Sequence, residues 1–227
     1  MKLLIDDANL DKIREISEYF PIDGVTTNPS ILAASGKQPY DVLEQIRRLI
    51  GPDKELHVQV ISAKAEGMIE EARIIREKLG DNTYIKIPTV REGLKAMKKL
   101  KKDGVNITAT AIYTPIQAYL AAQAGADYAA PYVNRIDNMG ADGTGSAEKI
   151  HDIFKKNGYK TEVLAASFKN TQQVLELCEY GVGAATIAPD VIEGLIKNVV
   201  VSDAVQTFVN DFEGLCGKDA TMAVYKD

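Results

Sequence analysis

The chain of 227 residues is poor in several residue types that mark particular protein classes. It contains no tryptophan, two histidines and two cysteines. Cys178 and Cys216 lie far apart in the sequence, without the spacing of a metal site. We therefore expect no structural zinc and no other bound metal.

Basic residues are also fewer than acidic ones. The 27 lysines and arginines are outnumbered by 32 aspartates and glutamates, which gives a net charge of -5. Nucleic acids and anionic membrane surfaces bind clustered basic faces, so we expect neither as a partner. No apolar run approaches membrane-spanning length, and the opening MKLLIDDANL reaches two aspartates too early for a signal-peptide core. The cytoplasm is the expected location.

The chain alternates short β-rich runs with longer amphipathic segments that have helical periodicity. Eight such runs occur: 2–6, 24–28, 56–60, 84–88, 106–111, 128–133, 162–167 and 184–189. This alternation predicts an α/β fold, a (β/α)₈ TIM barrel formed as a single domain over residues 1–227. An open dinucleotide-binding sheet is disfavoured because LLIDDANL has no glycine-rich fingerprint. Residues from about 200 to 227 predict an additional C-terminal helix and tail, compatible with a subunit interface or with docking on the barrel itself.

The segment TYIKIPTV places a lysine inside an apparent buried strand. Side chains alternate along a strand, so Tyr84, Lys86 and Pro88 share one face. Ile85 and Ile87 share the other face, which suits the layer between barrel and helices. We therefore expect Lys86 to point into the barrel, where active sites of this architecture lie at the carboxyl ends of the strands.

Other polar side chains fall near the predicted strand ends. The same alternation turns Thr108 inward with Thr110, and Ala165 inward with Ser167. The candidates at or just beyond the strand ends are Asp6, Asn28, Gln59, Thr110, Tyr132, Arg135, Ser167 and Lys169.

A buried lysine among such groups can act as a nucleophile toward a carbonyl. At a reference pKa of about 10.4, only roughly 0.04% of lysine is neutral at pH 7, and desolvation increases that fraction. The iminium formed on the amine would allow cleavage of an adjacent carbon–carbon bond, with Asp6 or Tyr132 moving the hydroxyl proton. Arg135, Ser167 and Lys169 suit a phosphate. The residues therefore predict a Schiff-base lyase or transferase acting on a phosphorylated sugar.

Simpler interpretations remain open for these features. Lys86 could instead reach solvent at the rim or form a structural ion pair with Asp6. GVTTNPS could be only a strand ending in a turn, and His57 favours a packing role. The loop 138–149, NMGADGTGSAEK, could be flexible or could hold phosphate at the start of a helix.

Several segments together resemble the transaldolase family, in its short branch of fructose-6-phosphate aldolases and small transaldolases. They are DGVTTNPSIL, YIKIP, EGLKAMKKLKKDGV, ATAIY, APYVNRID and VLAASFKN, in the family's order from the first strand to the tail. The resemblance implies a (β/α)₈ barrel without a metal or organic cofactor. It also implies a homo-oligomer, a decamer in which a C-terminal helix reaches a neighbouring subunit.

The resemblance assigns roles to individual positions. Lys86 matches the Schiff-base lysine, Asp6 the carboxylate that assists proton transfer, and Asn28 the amide that binds substrate hydroxyls. The remaining matches are Gln59 and Thr110 for the catalytic water, Arg135 and Ser167 with Lys169 for the phosphate, and Thr27 and Thr108 as further substrate-binding candidates.

Two reactions are compatible with this family. In both, cleavage of a ketose phosphate leaves a three-carbon enamine on the lysine. An aldolase protonates it and releases dihydroxyacetone, whereas a transaldolase passes it from fructose 6-phosphate or sedoheptulose 7-phosphate to an aldose phosphate. The aldolase branch has glutamine and tyrosine at the positions of Gln59 and Tyr132, which favours fructose-6-phosphate aldolase. Thr108 departs from that pattern, since aldolases have an aliphatic residue there and transaldolases an asparagine.

Overall fold

Strands and helices alternate along the chain as the periodicity predicts. The computed structural model describes residues 1–223. Its strands are β1 (Lys2–Asp6), β2 (Gly24–Thr26), β3 (Glu55–Gln59), β4 (Thr83–Pro88), β5 (Asn106–Ile112), β6 (Tyr128–Pro131), β7 (Glu162–Ala165) and β8 (Ala184–Ile187).

The helices fall between these strands and after the last one. They are α1 (Leu10–Tyr19), α2 (Pro29–Ala34), α3 (Pro39–Ile50), α4 (Ala65–Leu79), α5 (Arg91–Lys102), α6 (Pro115–Gln123), α7 (Val133–Asp137), α8 (Gly143–Lys156), α9 (Thr171–Tyr180), α10 (Pro189–Gly194) and α11 (Val199–Cys216). No helix within the described residues combines the length and apolar character needed to cross a membrane.

Each strand pairs in parallel with its neighbours in sequence, and β8 pairs with β1, so the sheet closes into a barrel. The predicted (β/α)₈ fold is confirmed. Five strands, β2, β3, β6, β7 and β8, end one or two residues earlier than predicted. In two of these cases the predicted strand residues Asn28 and Tyr132 are instead the N-cap residues of α2 and α7. The Asn28 side chain accepts a 3.0 Å hydrogen bond from the amide of Ile31, and Pro29 opens the helix.

Apolar residues divide between two layers. Outward-facing strand residues such as Ile5, Val25 and Ile85 are completely buried in the core between sheet and helices. A smaller cluster forms around inward-facing Leu4 and Tyr128. The barrel interior is therefore packed below the carboxyl ends of the strands, and the helices cover its outside.

The chain separates into two compact units, Met1–Glu193 and Gly194–Asp227. The first contains the barrel. The second contains α11, which is the predicted additional helix, although no residue of α11 is buried. Residues 224–227 of the predicted tail lie outside the described part of the chain.

Arg47, in the last turn of α3, connects two loops on the outside of the barrel. Its guanidinium donates hydrogen bonds of 2.8 to 2.9 Å to the carbonyl oxygens of Gly51, Lys54, Leu79 and Asn82. One side chain thus satisfies backbone acceptors before both β3 and β4. Charge-assisted bonds of this kind are stronger than neutral ones, and their loss would leave the carbonyl oxygens of Gly51 and Lys54 without this donor.

We expect Arg47→Met to lower the free energy of unfolding by about 2–4 kcal/mol, because four carbonyl oxygens lose a charged donor and, among the described residues, only those of Leu79 and Asn82 keep another one. Chemical denaturation at one protein concentration measures the change. Arg48→Met is the matched control, since the Arg48 side chain is 73% exposed and pairs only with Glu44 on the same helix. It should change stability by less than about 0.5 kcal/mol. Equal losses from the two substitutions would contradict this account.

Candidate active site

A cavity of about 280 Å³ opens at the carboxyl ends of the barrel strands. Its position is the one that this architecture uses for catalysis. The polar side chains that line it are Asp6, Thr26, Asn28, Ser30, Gln59, Lys86, Thr110, Tyr132, Arg135, Ser167 and Thr186. Eight of the eleven residues predicted from the sequence are therefore brought together.

Lys86 points from β4 into this cavity and is 6% exposed. Its Nζ donates a 2.6 Å hydrogen bond to the carbonyl oxygen of Thr27. Burial lowers the pKa of Lys86 below its ordinary value; the negative charge of Asp6 opposes this shift and the positive charge of Arg135 adds to it. Burial thus makes the neutral amine, the form that a nucleophile requires, more abundant than it is in an exposed lysine.

The Asp6 carboxylate lies at the end of β1, with a hydroxyl pair behind it. Thr26 donates a 2.7 Å hydrogen bond from Oγ1 to Asp6 Oδ1, and the hydroxyls of Thr26 and Thr186 are 2.6 Å apart. Since the Thr26 proton goes to Asp6, Thr186 must donate to Thr26. Burial raises the pKa of Asp6, while Lys86 and Thr26 oppose that rise. The carboxyl is therefore suited to exchange protons.

Asp6 and Lys86 do not form the structural ion pair that the sequence left open. Each of the two charged groups has its own nearest partner, a hydroxyl in one case and a backbone carbonyl in the other. Thr26 and Thr186 were missed by the sequence analysis. Strand alternation could have identified them, since Thr186 is two residues from the inward-facing Ala184.

Gln59 of β3, Thr110 of β5 and Tyr132, which follows β6, also line the cavity. Gln59 is the register partner of Lys86, and the hydroxyl groups of Thr110 and Tyr132 are 2.8 Å apart. After Thr110 the pairing of β5 with β6 shifts register, and Ala111 has a φ of 57°, in the left-handed region. The Tyr132 ring is held edge-on by Tyr113 at 5.4 Å between ring centroids. Two hydroxyls and an amide therefore line the same cavity as the amine, and such groups can hold a water molecule.

Arg135 and Ser167 also line the cavity. The guanidinium of Arg135 lies over the Tyr132 ring, 4.6 Å from its centroid. Ser167 reaches the cavity through a φ of 63° and not by strand alternation, because Ala165 packs in the outer core and not inward as expected. A cation and a hydroxyl in the same cavity can bind an anionic group.

Three predicted substrate-binding side chains lie away from this cavity. Thr27 donates from Oγ1 to the carbonyl oxygen of His57, and only its own carbonyl reaches Lys86. The Thr108 hydroxyl lies 2.8 Å from Nδ1 of His57, beneath the cavity. Lys169 is exposed. The strand pattern predicted the face of Thr108 but not that its hydroxyl would contact His57.

The glycine-rich loop 138–149 contains the start of α8, where side-chain carboxylates already bind the backbone amides. Asp142 is the N-cap of α8 and accepts a 2.8 Å hydrogen bond from the amide of Gly145. The amide of Gly143 donates to the side chain of Asp137. Carboxylates therefore take the positions at which a phosphate would bind. Among the described residues, no group of three or more histidine, cysteine, aspartate or glutamate side chains is arranged to hold a metal ion.

Comparison with known proteins agrees with this geometry. Residues 3–225 match the family described as Transaldolase/Fructose-6-phosphate aldolase. A probable fructose-6-phosphate aldolase of Streptococcus pneumoniae is 41% identical over 213 residues, which cover 93% of this chain and 96% of the relative. A probable transaldolase of Hydrogenobaculum is 37% identical, covering 96% and 99%. A probable transaldolase of Clostridium botulinum is 40% identical, covering 95% and 99%. The chain therefore belongs to the transaldolase/fructose-6-phosphate aldolase family and is an enzyme of one of these two types.

Proposed function

We propose that the protein is a Schiff-base aldolase that cleaves fructose 6-phosphate into dihydroxyacetone and glyceraldehyde 3-phosphate, and forms it in reverse. The observation that carries the proposal is the pair of hydroxyls on Thr110 and Tyr132, 2.8 Å apart and in the same cavity as the Lys86 amine. The family supports either reaction, and this pair favours protonation of the enamine and hydrolysis of the resulting iminium, which release dihydroxyacetone.

The first step uses the lowered pKa of Lys86. Its neutral nitrogen attacks the C2 carbonyl of the open-chain ketose, and the C2 oxygen takes up a proton to give a carbinolamine. Loss of water then gives the iminium. The carbonyl of Thr27 accepts an N–H from the amine at 2.6 Å, so it can hold the nitrogen in place while the lone pair attacks.

Cleavage then requires a base for the C4 hydroxyl. As the C3–C4 electron pair moves toward the iminium to form an enamine, Asp6 accepts the C4 hydroxyl proton and glyceraldehyde 3-phosphate leaves. The raised pKa of Asp6 brings its carboxyl closer to neutral pH, where a group that both accepts and returns a proton works best. Thr26 fixes the orientation of the carboxylate.

Product release depends on water and on a proton for the enamine. Gln59, Thr110 and Tyr132 can hold a water molecule facing C2 and C3 of the intermediate. C3 takes up a proton, water adds to C2, and dihydroxyacetone separates from the regenerated amine. A phenol can take part in these transfers, which an apolar ring cannot do.

The cavity also contains side chains that can bind the phosphate and the hydroxyl groups of the substrate. Arg135 and Ser167 are the proposed phosphate ligands, and Asn28 is the proposed partner for substrate hydroxyls near Asp6. Lys169, which is exposed, stays a predicted third phosphate ligand. No cofactor takes part in the proposed steps. The cytoplasm stays the predicted location.

Transaldolase is the alternative function. Two of the relatives above are named probable transaldolases, and Thr108 departs from the aliphatic residue of the aldolase branch. In this reaction the same enamine would attack the aldehyde of an aldose phosphate, and protonation by water would be suppressed. The two functions therefore differ in what reacts with C3 of the enamine. In an aldolase it is a proton, and in a transaldolase it is the aldehyde of an aldose phosphate.

We also propose that the protein is a homo-oligomer, a decamer by its family resemblance, in which α11 contacts a neighbouring copy. Large apolar side chains are exposed on this helix, Phe208 at 69% and Leu215 at 82%. Val201, Val205 and Phe208 recur at helical spacing, which produces one apolar stripe. Contiguous exposed apolar surface of this kind marks an interaction site.

The Schiff base is tested by reduction with borohydride in the presence of fructose 6-phosphate or dihydroxyacetone. The native protein should gain the mass of one reduced adduct on Lys86, and Lys86→Met should gain none, because the only proposed nucleophile is removed. Lys95→Met is the control, since Lys95 is exposed and pairs with Glu66. Modification at another lysine, or substrate binding without any adduct, would sink the proposed mechanism.

The role of the phenol is tested with Tyr132→Phe. Release of glyceraldehyde 3-phosphate from fructose 6-phosphate should fall by about 10²-fold without an acceptor, the usual contribution of a proton-transfer group. Transfer to erythrose 4-phosphate should be relatively spared. Tyr119→Phe, on α6 and outside the cavity, is the control. Equal loss of both reactions would show that the phenol does not separate them, and native turnover that requires the acceptor would identify a transaldolase.

The α11 interface is tested by measuring mass in solution. Val205→Lys combined with Phe208→Glu should reduce the oligomer to smaller species in sedimentation experiments, because charge in a buried apolar contact is costly. Gln206→Lys lies on the polar side of the same helix and should leave the mass unchanged. An oligomer that survives the double substitution would exclude α11 as its interface.

A further inference from the structure

Two threonine hydroxyls connect strand β8 with the Asp6 carboxylate. Thr26 donates from Oγ1 to Asp6 Oδ1 at 2.7 Å, and the Oγ1 atoms of Thr26 and Thr186 are 2.6 Å apart. The three residues lie on the neighbouring strands β1, β2 and β8, and Asp6 is the register partner of Thr26. Thr26 has no exposed surface and Thr186 is 2% exposed. Both distances fall in the range of good hydroxyl hydrogen bonds, so Thr186 is joined to the carboxylate through one intermediate oxygen.

The state in which Asp6 acts as a base determines the direction of these bonds. A carboxylate carries no proton and can only accept, so the single proton of the Thr26 hydroxyl goes to Asp6. The oxygen of Thr26 is then an acceptor, and the hydroxyl of Thr186 donates to it. This direction follows from the number of protons that each group carries, and it holds whenever the carboxylate is ionised.

The bond from Thr186 strengthens the bond that Thr26 makes to Asp6. A hydroxyl whose oxygen accepts a hydrogen bond is a better donor of its own proton, because consecutive hydrogen bonds polarise one another in a site of low dielectric. Thr186 also provides a donor to the Thr26 oxygen, which is buried away from bulk water. With both bonds made, the β-branched side chain of Thr26 is satisfied in a single rotamer.

The carboxylate depends on such a partner because its own torsion is loose. The χ2 torsion of an aspartate has broad minima, so rotamer preference does not fix which oxygen faces the substrate. The bond from Thr26 holds Oδ1 toward β2 and leaves Oδ2 for the proton of the substrate C4 hydroxyl. Proton transfer requires a donor and an acceptor about 2.6–3.2 Å apart, so a carboxylate that turns away from this orientation works less well.

We propose that Thr186 is a positioning residue for Asp6: it donates to Thr26, and through Thr26 it fixes the carboxylate oxygen that takes up the C4 hydroxyl proton of the substrate. The reaction steps described above give Thr186 no role, although it lines the cavity. The inference rests on the proposed function, in which Asp6 is the base for cleavage. That step is common to the aldolase and the transaldolase reactions.

Several charged groups act on the same carboxylate. Burial raises the pKa of Asp6, whereas the charge of Lys86 and the hydrogen bond from Thr26 lower it. The other charged groups that act on Asp6 or line a neighbouring cavity with it are Asp7, Lys12, Arg135, Asp190 and Glu193. A neutral substitution at Thr186 leaves all of these charges in place, so a change in the pH dependence of cleavage would report the bond from Thr26.

The test compares Thr186→Val, which keeps the shape of the side chain, with Thr186→Ser, which keeps the hydroxyl. The single-turnover rate of glyceraldehyde 3-phosphate release from fructose 6-phosphate is measured against pH, with erythrose 4-phosphate present. Thr186→Val should lower the plateau rate about fivefold, the effect of one hydrogen bond. The rising limb of its profile should move to higher pH, because a weaker bond from Thr26 raises the pKa of Asp6. Thr186→Ser should restore both.

Thr161→Val is the control for loss of a buried hydroxyl. Thr161 donates from Oγ1 to the carbonyl oxygen of Ala126 at 2.7 Å and does not line the cavity. This variant should change neither the plateau rate nor the position of the limb. A shift in Thr161→Val as large as that in Thr186→Val would overturn the inference.

A double-mutant cycle separates action through Thr26 from an independent effect. In a Thr26→Val background the connection to Asp6 is already broken, so adding Thr186→Val should change the rate by less than about twofold. Equal losses in the two backgrounds would overturn the inference, as would an unchanged rate in Thr186→Val or a failure of Thr186→Ser to restore it. Weaker binding of substrate at an unchanged rate would make Thr186 a substrate ligand instead, which also overturns it.

Adduct formation distinguishes this inference from the proposed function. Borohydride trapping with dihydroxyacetone uses the Lys86 amine but no C4 hydroxyl, so Thr186→Val should form the adduct at close to the native rate. A native protein that forms no adduct would refute the proposed function. A Thr186→Val variant that loses adduct formation and cleavage equally would show a general structural effect and overturn only the inference.

Discussion

The desolvation of one ammonium group is the constraint on which the active site depends. Lys86 lies between two aliphatic residues of β4 and is 6% exposed, so its charged form loses most of its hydration. A single carbonyl oxygen replaces part of that hydration. The same burial raises the pKa of Asp6, so the basic and acidic groups shift toward each other and proton exchange between them and a substrate becomes easier.

Closure of the barrel places these side chains on strands that hydrogen bonds already hold rigid. The strands supply inward side chains in layers, with aromatic and apolar residues around Tyr128 below and polar residues above. Residues distant in sequence meet there, as Thr26 and Thr186 do across 160 positions. Because each side chain is anchored to a hydrogen-bonded strand, the site is organised before substrate arrives.

Strand alternation predicted the face of Lys86, Asp6 and Thr110 correctly because these residues lie within regular β-structure. It was less informative beyond the strand ends. Ser167 enters the cavity through a left-handed backbone conformation, although Ala165 faces outward. The pattern also gave no reason to separate Thr108 from the substrate, since its hydroxyl lies 2.8 Å from Nδ1 of His57, a residue on another strand.

The sequence by itself determined the eight alternating units, the inward lysine and the family, because periodicity and local motifs are properties of neighbouring residues. Only the tertiary structure decided the partners: the Thr27 carbonyl on Lys86, the paired hydroxyls of Thr110 and Tyr132, and the contact between Thr108 and His57. Hydrogen bonds depend on distances of a few tenths of an ångström between residues far apart in the chain. Those distances exist only once the barrel has closed and its interior has packed.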